Sequence, residues 1–219
     1  MHDRDQLGER TLSPAQGAGR RVAEEIHGLL TDIGIDVRQI EEVIVGVGPG
    51  GFTGLRIGIA TALGLGQALH APVRGVASIE ALALEIAAHT PAGATVVPVI
   101  DAKRHEVFAA AYRCDGDGGL ATIIEPHATS AGGLVERVAT IATAAAPAYL
   151  AGDGLHRCHE LLTGAAIALP PDSPGHQLRA FRLVQRARAG GARPVSPLYL
   201  RLPDAEVNRV RRARDAATA

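Results

Sequence analysis

Apolar residues recur at helical spacing early in the chain: Val22, Ile26, Leu29, Leu30 and Ile33 stand at i, i+4, i+7, i+8 and i+11. That stripe predicts an amphipathic helix over about 14–31. Ser13-Pro14-Ala15-Gln16 supplies its start, with Ser as N-cap, Pro at the first helical position and Gln reaching back. Gly34 closes it. A continuous apolar run, Val43-Ile44-Val45-Gly46-Val47, then reads as a strand and opens through Gly48-Pro49-Gly50-Gly51 into a helix over 53–69. After Pro72 the pattern predicts a strand over 73–76 and a helix from Ser78 to His89. The second half opens on Thr95–Asp101, apolar along almost its whole length and suited to burial on both faces. Strands over Glu106–Tyr112 and 120–124 follow, separated by the turn residues of Cys114–Gly119. A helix over 130–145, a strand over 148–151 and helices over 154–163 and 176–189 complete the prediction.

The helix at 53–69 carries glycines at 54, 58, 64 and 66. Each interior glycine costs roughly 1 kcal/mol relative to alanine, so close approach of another backbone is the expected compensation. The loop before it is tested against two phosphate-binding patterns. Gly46…Gly51-Phe52-Thr53 has the glycine spacing of a Walker A loop, but Phe52 stands where the phosphate-binding lysine belongs. Gly46-x-Gly48-x-x-Gly51 matches the dinucleotide fingerprint formally, yet the next strand ends in Ala77-Ser78 without the ribose-binding acid. A glycine turn with no ligand stands beside both.

Composition narrows the class. The 219 residues are 47% hydrophobic with only six aromatics, so the core is aliphatic and large enough for one or two lobes. No run approaches the ~18 apolar residues of a membrane span, and the first ten residues are unlike a signal peptide. Cys114 and Cys158 are isolated, which suits a reducing cytoplasm. Net charge is −1 but uneven: residues 179–219 hold ten arginines against three acids. Such a segment meets RNA phosphates, an acidic protein surface, or only solvent. Only Phe181 and Tyr199 are interleaved with the arginines, too few to make a stacking platform for bases.

Candidate chemistry is thin. Asp101 ends a buried strand beside Lys103 and Arg104, either as a phosphate-site carboxylate or as a salt-bridged turn residue. His156-Arg157-Cys158-His159 is the only His/Cys cluster, and its H-x-x-H spacing lacks a third metal ligand. There is no G-x-S-x-G, and neither cysteine has an evident base. Catalytic residues and a bound metal are therefore expected to be absent. Helix 53–69 reads better as a docking surface: Gly54 and Gly58 lie one turn apart, with Thr61 on the same side. Leu55, Ile59, Ala62 and Leu63 form a neighbouring apolar stripe, and Arg56 adds a charge.

The string GPGGFTGLRIGIATALGLGQAL resembles the GPGSFTGLRIG segment of the bacterial tRNA threonylcarbamoyladenosine biosynthesis family TsaB, formerly YeaZ. Val99-Ile100-Asp101-Ala102-Lys103-Arg104-His105-Glu106-Val107-Phe108 is similar to that family's I-D-A-R-x-x-E-V-Y hairpin, and Pro197-Leu198-Tyr199-Leu200-Arg201 to its P-x-Y-L-R. The resemblance covers about Gly8 to Arg201. It implies an α/β fold of the actin-like/RNase H-like (ASKHA) class with two lobes, here residues 1–92 and 93–219. Members begin with a strand ending A-I-D-T-S-T; nothing similar precedes Gly8, so the first lobe is expected to be incomplete at its N-terminus.

The resemblance further implies a cytoplasmic, non-catalytic partner of the transferase TsaD in forming N6-threonylcarbamoyladenosine beside the tRNA anticodon. The ATPase TsaE joins the assembly. ATP and Mg²⁺ are used by those partners, and no cofactor belongs to this chain. Contact with tRNA is indirect or weak. The catalytic sibling's H-x-x-x-H metal motif has no counterpart among the nine histidines. The expected partner interface comprises Val22, Ile26, Thr53, Leu55, Arg56, Gly58, Ile59 and Leu63, with Gly48, Pro49, Gly50 and Gly51 as the glycine loop. Gly51 replaces the family's usual serine. The same helices are expected to support a homodimer. The competing reading is a nucleotide-binding enzyme of the actin-like fold that acts alone, with Asp101 as the vestige of its phosphate site.

Overall fold

The computed structural model describes residues 8–12, 18–115 and 117–201. Helix α1 (Ala18–Asp32) presents the predicted stripe, while its expected N-terminal cap at Ser13–Gln16 lies outside the described residues. Strand β1 (Val43–Gly48) leads through the glycine loop into α2 (Phe52–Leu69), and β2 (Val73–Ala77) pairs with β1 in parallel, Val43 opposite Val73. Helix α3 (Ser78–Ala87) follows without a break. These two strands form a sheet of their own.

The second sheet runs β5-β4-β3-β6-β7. Its first three strands, β3 (Thr95–Lys103), β4 (Glu106–Cys114) and β5 (Leu120–Ser130), are antiparallel neighbours. Helix α4 (Ala131–Ile141) returns the chain so that β6 (Ala148–Ala151) pairs in parallel with β3. A short edge strand, β7 (Ala166–Ala168), completes it. The predicted helix over 154–163 is instead a pair of 3₁₀ turns, Leu155–Arg157 and His159–Leu161. The reason is crowding against β3. A side chain at Gly152 would strike the Val99 carbonyl, and one at Gly154 would lie 2.7 Å from the Ile100 carbonyl carbon. Arg157 is also drawn to Asp101 at 2.6 Å, so the segment is pinned at both ends.

Helix α3 sits between the sheets, with every residue from Ser78 to Ile86 buried. It carries two carboxylates into that position, Glu80 and Glu85. Both are answered by the last part of the chain. Helix α5 (Ala180–Arg186) lies along α3, where Arg182 donates to Glu85 at 2.6 Å and Arg186 to Glu80 at 2.7 Å. Arg193 closes on the other oxygen of Glu80, and His89 meets Glu85 at 3.1 Å. Arg179 pairs with Glu9. Charges this deep persist only when paired.

Beyond α5 the predicted helix over 176–189 ends in a wide turn in which Gly190 takes φ 86°. The strap continues along the first sheet: Gly75 and Arg193 exchange backbone hydrogen bonds, and the Leu198 N–H donates to the Val47 carbonyl at 2.7 Å. Residues 179–198 therefore pack on the first sheet and α3, although the sequence division at 92/93 assigns them to the second lobe. Four arginines of the basic C-terminal stretch, 179, 182, 186 and 193, are engaged inside the molecule by this strap.

Strand β1 has a second edge. Because the Val43 N–H donates to Pro72 on the β2 side, Ile44 and Gly46 turn their backbone groups the other way. No strand pairs with that edge among the described residues.

Two outcomes follow from this packing. In hydrogen exchange, the Ile44 and Gly46 amides should exchange roughly a hundredfold faster than those of Val45 and Val76. Glu80→Ala, which strands two guanidinium groups, should lower unfolding stability by about 3 kcal/mol, read from the urea midpoint.

Candidate partner-binding site

The glycine loop is built by local sterics. Gly48 has φ 109°, and an added Cβ would lie 2.9 Å from the Leu198 carbonyl and 3.0 Å from Leu55, so this position admits only glycine. A cis bond joins Gly48 to Pro49, which is buried; Gly50 is half-buried and Gly51, the N-cap of α2, is exposed.

Helix α2 divides into two faces. Ile59, Ala62 and Gly66 are buried against the molecule itself. Gly66 is the glycine that serves the chain's own fold: a side chain there would collide with Val73. At Gly54, Gly58 and Gly64 an added side-chain carbon would meet nothing within 4 Å. Thr53, Arg56, Ala60, Leu63, Gly64 and Gln67 are exposed, Leu63 to 46%. The structure thus separates the predicted interface residues. Thr53, Arg56 and Leu63 are available on the surface, and Gly58 is half-buried beside open space. Leu55 is half-buried against the glycine loop, and Val22 and Ile26 are half-buried on α1. Ile59 is corrected: at 7% exposure it is a core residue, placed there because its position on the helix faces the sheet side with Ala62 and Gly66.

Next to the start of α2 lies a cleft of about 390 Å³, lined by Gly50–Thr53, Asp101–Arg104, Phe108 and Leu198–Arg201. Asp101 is in its wall, but its carboxylate is occupied. Arg157 donates to one oxygen at 2.6 Å and the Lys103 ammonium to the other at 2.8 Å, while the Lys103 backbone N–H adds a third bond. Burial pushes this carboxyl up, yet Arg157 and Lys103 outweigh it and hold it well below the usual carboxylate range. Asp153 accepts from the Asp101 amide at 2.9 Å. The arrangement is that of a clamped hairpin, with Lys103, Arg104 and His105 all in the left-handed region.

The cleft also holds a stack that sequence reading misses. Arg56 lies over the Phe52 ring at 3.8 Å, and Phe52 stacks on Tyr199 with centroids 5.3 Å apart. The Arg56 Nε donates to the Tyr199 hydroxyl at 3.1 Å, across 143 residues of sequence. By sequence, Phe52 counts only as a missing lysine and Tyr199 only as part of a C-terminal string; nothing local signals that they meet.

Nucleophile and metal chemistry find little here. Burial, followed by the nearby Asp115 charge, pushes the Cys114 thiol up to about 11, and burial raises Cys158 as well. His156 bonds the Asp153 carbonyl at 2.6 Å. Among the described residues no three His, Cys, Asp or Glu side chains gather as a metal site, and no helix is long and apolar enough to cross a membrane.

Comparison with known proteins agrees with this architecture. Residues 16–148 match the family model described as TsaD, tRNA N6-adenosine threonylcarbamoyltransferase. An uncharacterized protein of Mycobacterium tuberculosis is 35% identical over 94% of this chain and 85% of its own length. The tRNA threonylcarbamoyladenosine biosynthesis protein TsaB of Escherichia coli is 37% identical over 45% of this chain and 42% of its own, and that of Bacillus subtilis 32% over 42% and 39%. Among solved structures, YeaZ from Pseudomonas aeruginosa superposes with a TM-score of 0.67 at 28% identity, covering 84% of this chain and 85% of that one. Its α/β architecture, with a mixed five-stranded sheet beside a smaller parallel one, is thus like that of YeaZ and consistent with the actin-like class. With the glycine loop, the hairpin of Asp101 and the strap ending in Tyr199 in family order, the chain belongs to the TsaB/YeaZ family.

Proposed function

We propose that this protein takes part in forming N6-threonylcarbamoyladenosine in tRNA as the non-catalytic partner of the transferase TsaD. The observation that carries the reading is the surface of α2 away from Ile59, Ala62 and Gly66, where Gly54 and Gly58 border open space on one flank and Gly64 does so beside exposed Thr53, Arg56 and Leu63 on the other. A helix with such a face accepts another helix at short range. α1, amphipathic and adjacent, extends the same surface through Val22 and Ile26. TsaE joins the assembly, ATP and Mg²⁺ act on the partners, and the setting is the cytoplasm. Without TsaD, two copies of the chain pair through the same helices.

The clamp on Asp101 supports a scaffold over an independent nucleotide enzyme. Both oxygens of the Asp101 carboxylate already accept from Arg157 or Lys103, and a metal-bound phosphate would have to compete with these bonds. The open edge of β1 supports a first lobe that takes one further strand, whose pairing would protect Ile44 and Gly46.

Leu63→Glu should abolish co-purification with TsaD and leave the melting temperature of the isolated chain unchanged. Ile59→Glu should instead unfold the chain, by several kcal/mol of buried-charge penalty, so its loss of binding carries no interface information. A Leu63→Glu protein that still co-purifies would sink the docking face. For Asp101, the folded carboxyl is held below its unfolded value, so its contribution is present above the ordinary carboxylate range and disappears as pH falls through and below it. Asp101→Asn should therefore lower stability at neutral pH, and the difference from wild type should shrink steadily in urea titrations at falling acidic pH.

A further inference from the structure

Arg56 is the only charged residue of α2, and the chain itself leaves its charge unanswered. Around the cleft, Lys103 pairs with Asp101 at 2.8 Å and Arg201 with Glu106 at 2.7 Å. On α5, Arg182 and Arg186 are taken up by Glu85 and Glu80. Arg56 has neutral neighbours instead. Its guanidinium lies over the Phe52 ring at 3.8 Å, and its Nε donates to the Tyr199 hydroxyl at 3.1 Å. No acidic side chain pairs with it among the described residues. The Nη1 and Nη2 groups keep their donors free, and the residue is exposed.

The stack fixes this side chain before any partner arrives. Ring attraction and the Nε bond hold the guanidinium, so much of the cost of ordering a long arginine is met within the chain. On the same side of the helix stand Phe52, Ala60 and Leu63, at i−4, i+4 and i+7, all exposed. One held arginine among aromatic and apolar residues is the anatomy of a protein–protein contact. A nucleic-acid backbone asks for several cations along its path, and Lys103 and Arg201 nearby are already paired. We propose that Arg56, positioned by Phe52 and Tyr199, anchors a carboxylate, an aspartate or glutamate side chain on the helix that docks on α2. Nη1 and Nη2 take its two oxygens in parallel hydrogen bonds, and apolar residues of the same helix cover Ala60 and Leu63. The anchor rests on the docking reading and sets the register of the docked helix, because the acid-bearing turn must lie at the head of α2.

The test is calorimetric titration of the full chain with TsaD, repeated as salt is raised. Arg56→Met keeps the bulk of an exposed side chain and leaves the fold intact. It should bind TsaD about tenfold more weakly than wild type and lose most of the weakening that salt causes in wild type. Arg56→Lys keeps the charge but not the fork, so it should weaken binding while retaining the salt response. Tyr199→Phe keeps the ring and drops the hydroxyl. It should weaken wild type severalfold and change nothing in an Arg56→Met background, a dependence that a merely structural tyrosine does not show. If Leu63→Glu fails to bind while Arg56→Met matches wild type in affinity and salt response, the docking face stands and the anchor is overturned. If Leu63→Glu binds as wild type does and Arg56→Met is weakened, the anchor stands and Leu63 falls from the face. Loss of tRNA binding by Arg56→Met with TsaD binding unchanged overturns the proposal in favour of a phosphate ligand.

Discussion

Two carboxylates in the middle of the molecule organise everything around them. Glu80 and Glu85 ride on a helix that is buried on all sides, where an unpaired charge is untenable. Their partners come from α5 and the residue stretch after it, more than ninety positions later in the chain. The ion pairs therefore oblige the C-terminal segment to cross back over α3. Only because it does so can Leu198 reach the backbone of β1 and Tyr199 arrive at the head of α2. Closing the fold and forming the cleft are one event.

Much of this is legible from residue order. Periodicity locates α2, α3, β3, β4 and β6 to within a residue or two, because each is an apolar pattern bounded by glycine, proline or a turn. The reading fails where distant contacts decide local form. Residues 154–163 have helical composition, yet proximity of Gly152 and Gly154 to β3 and the pull of Asp101 on Arg157 break them into 3₁₀ turns. The packing of the C-terminal strap on the first sheet is hidden for the same reason: no local pattern says that arginines at 182, 186 and 193 answer glutamates at 80 and 85. In the site, motif and helical phase pick out the glycine loop and the exposed Thr53, Arg56 and Leu63. Ile59 falls on the wrong side of α2 in such a reading because apolar residues on both faces blur that phase.

Two surfaces meet at the head of α2. One is the glycine-bearing side of the helix, which the proposed docking would cover. The other is the stack of Arg56, Phe52 and Tyr199 at the cleft. They share Arg56, which stands exposed on the helix face while its guanidinium caps the stack.

The helix that carries these surfaces is built at a disadvantage to the isolated chain. Gly54, Gly58 and Gly64 fill no space that the monomer needs vacant, and alanine at each would stiffen α2 by roughly 1 kcal/mol per position. Selection for robustness alone would have replaced them. If α2 docks as proposed, the uncomplexed chain holds that helix slightly loose, and optimising the protein for shelf life by the usual glycine-to-alanine exchanges would fill in the contour that a partner helix needs.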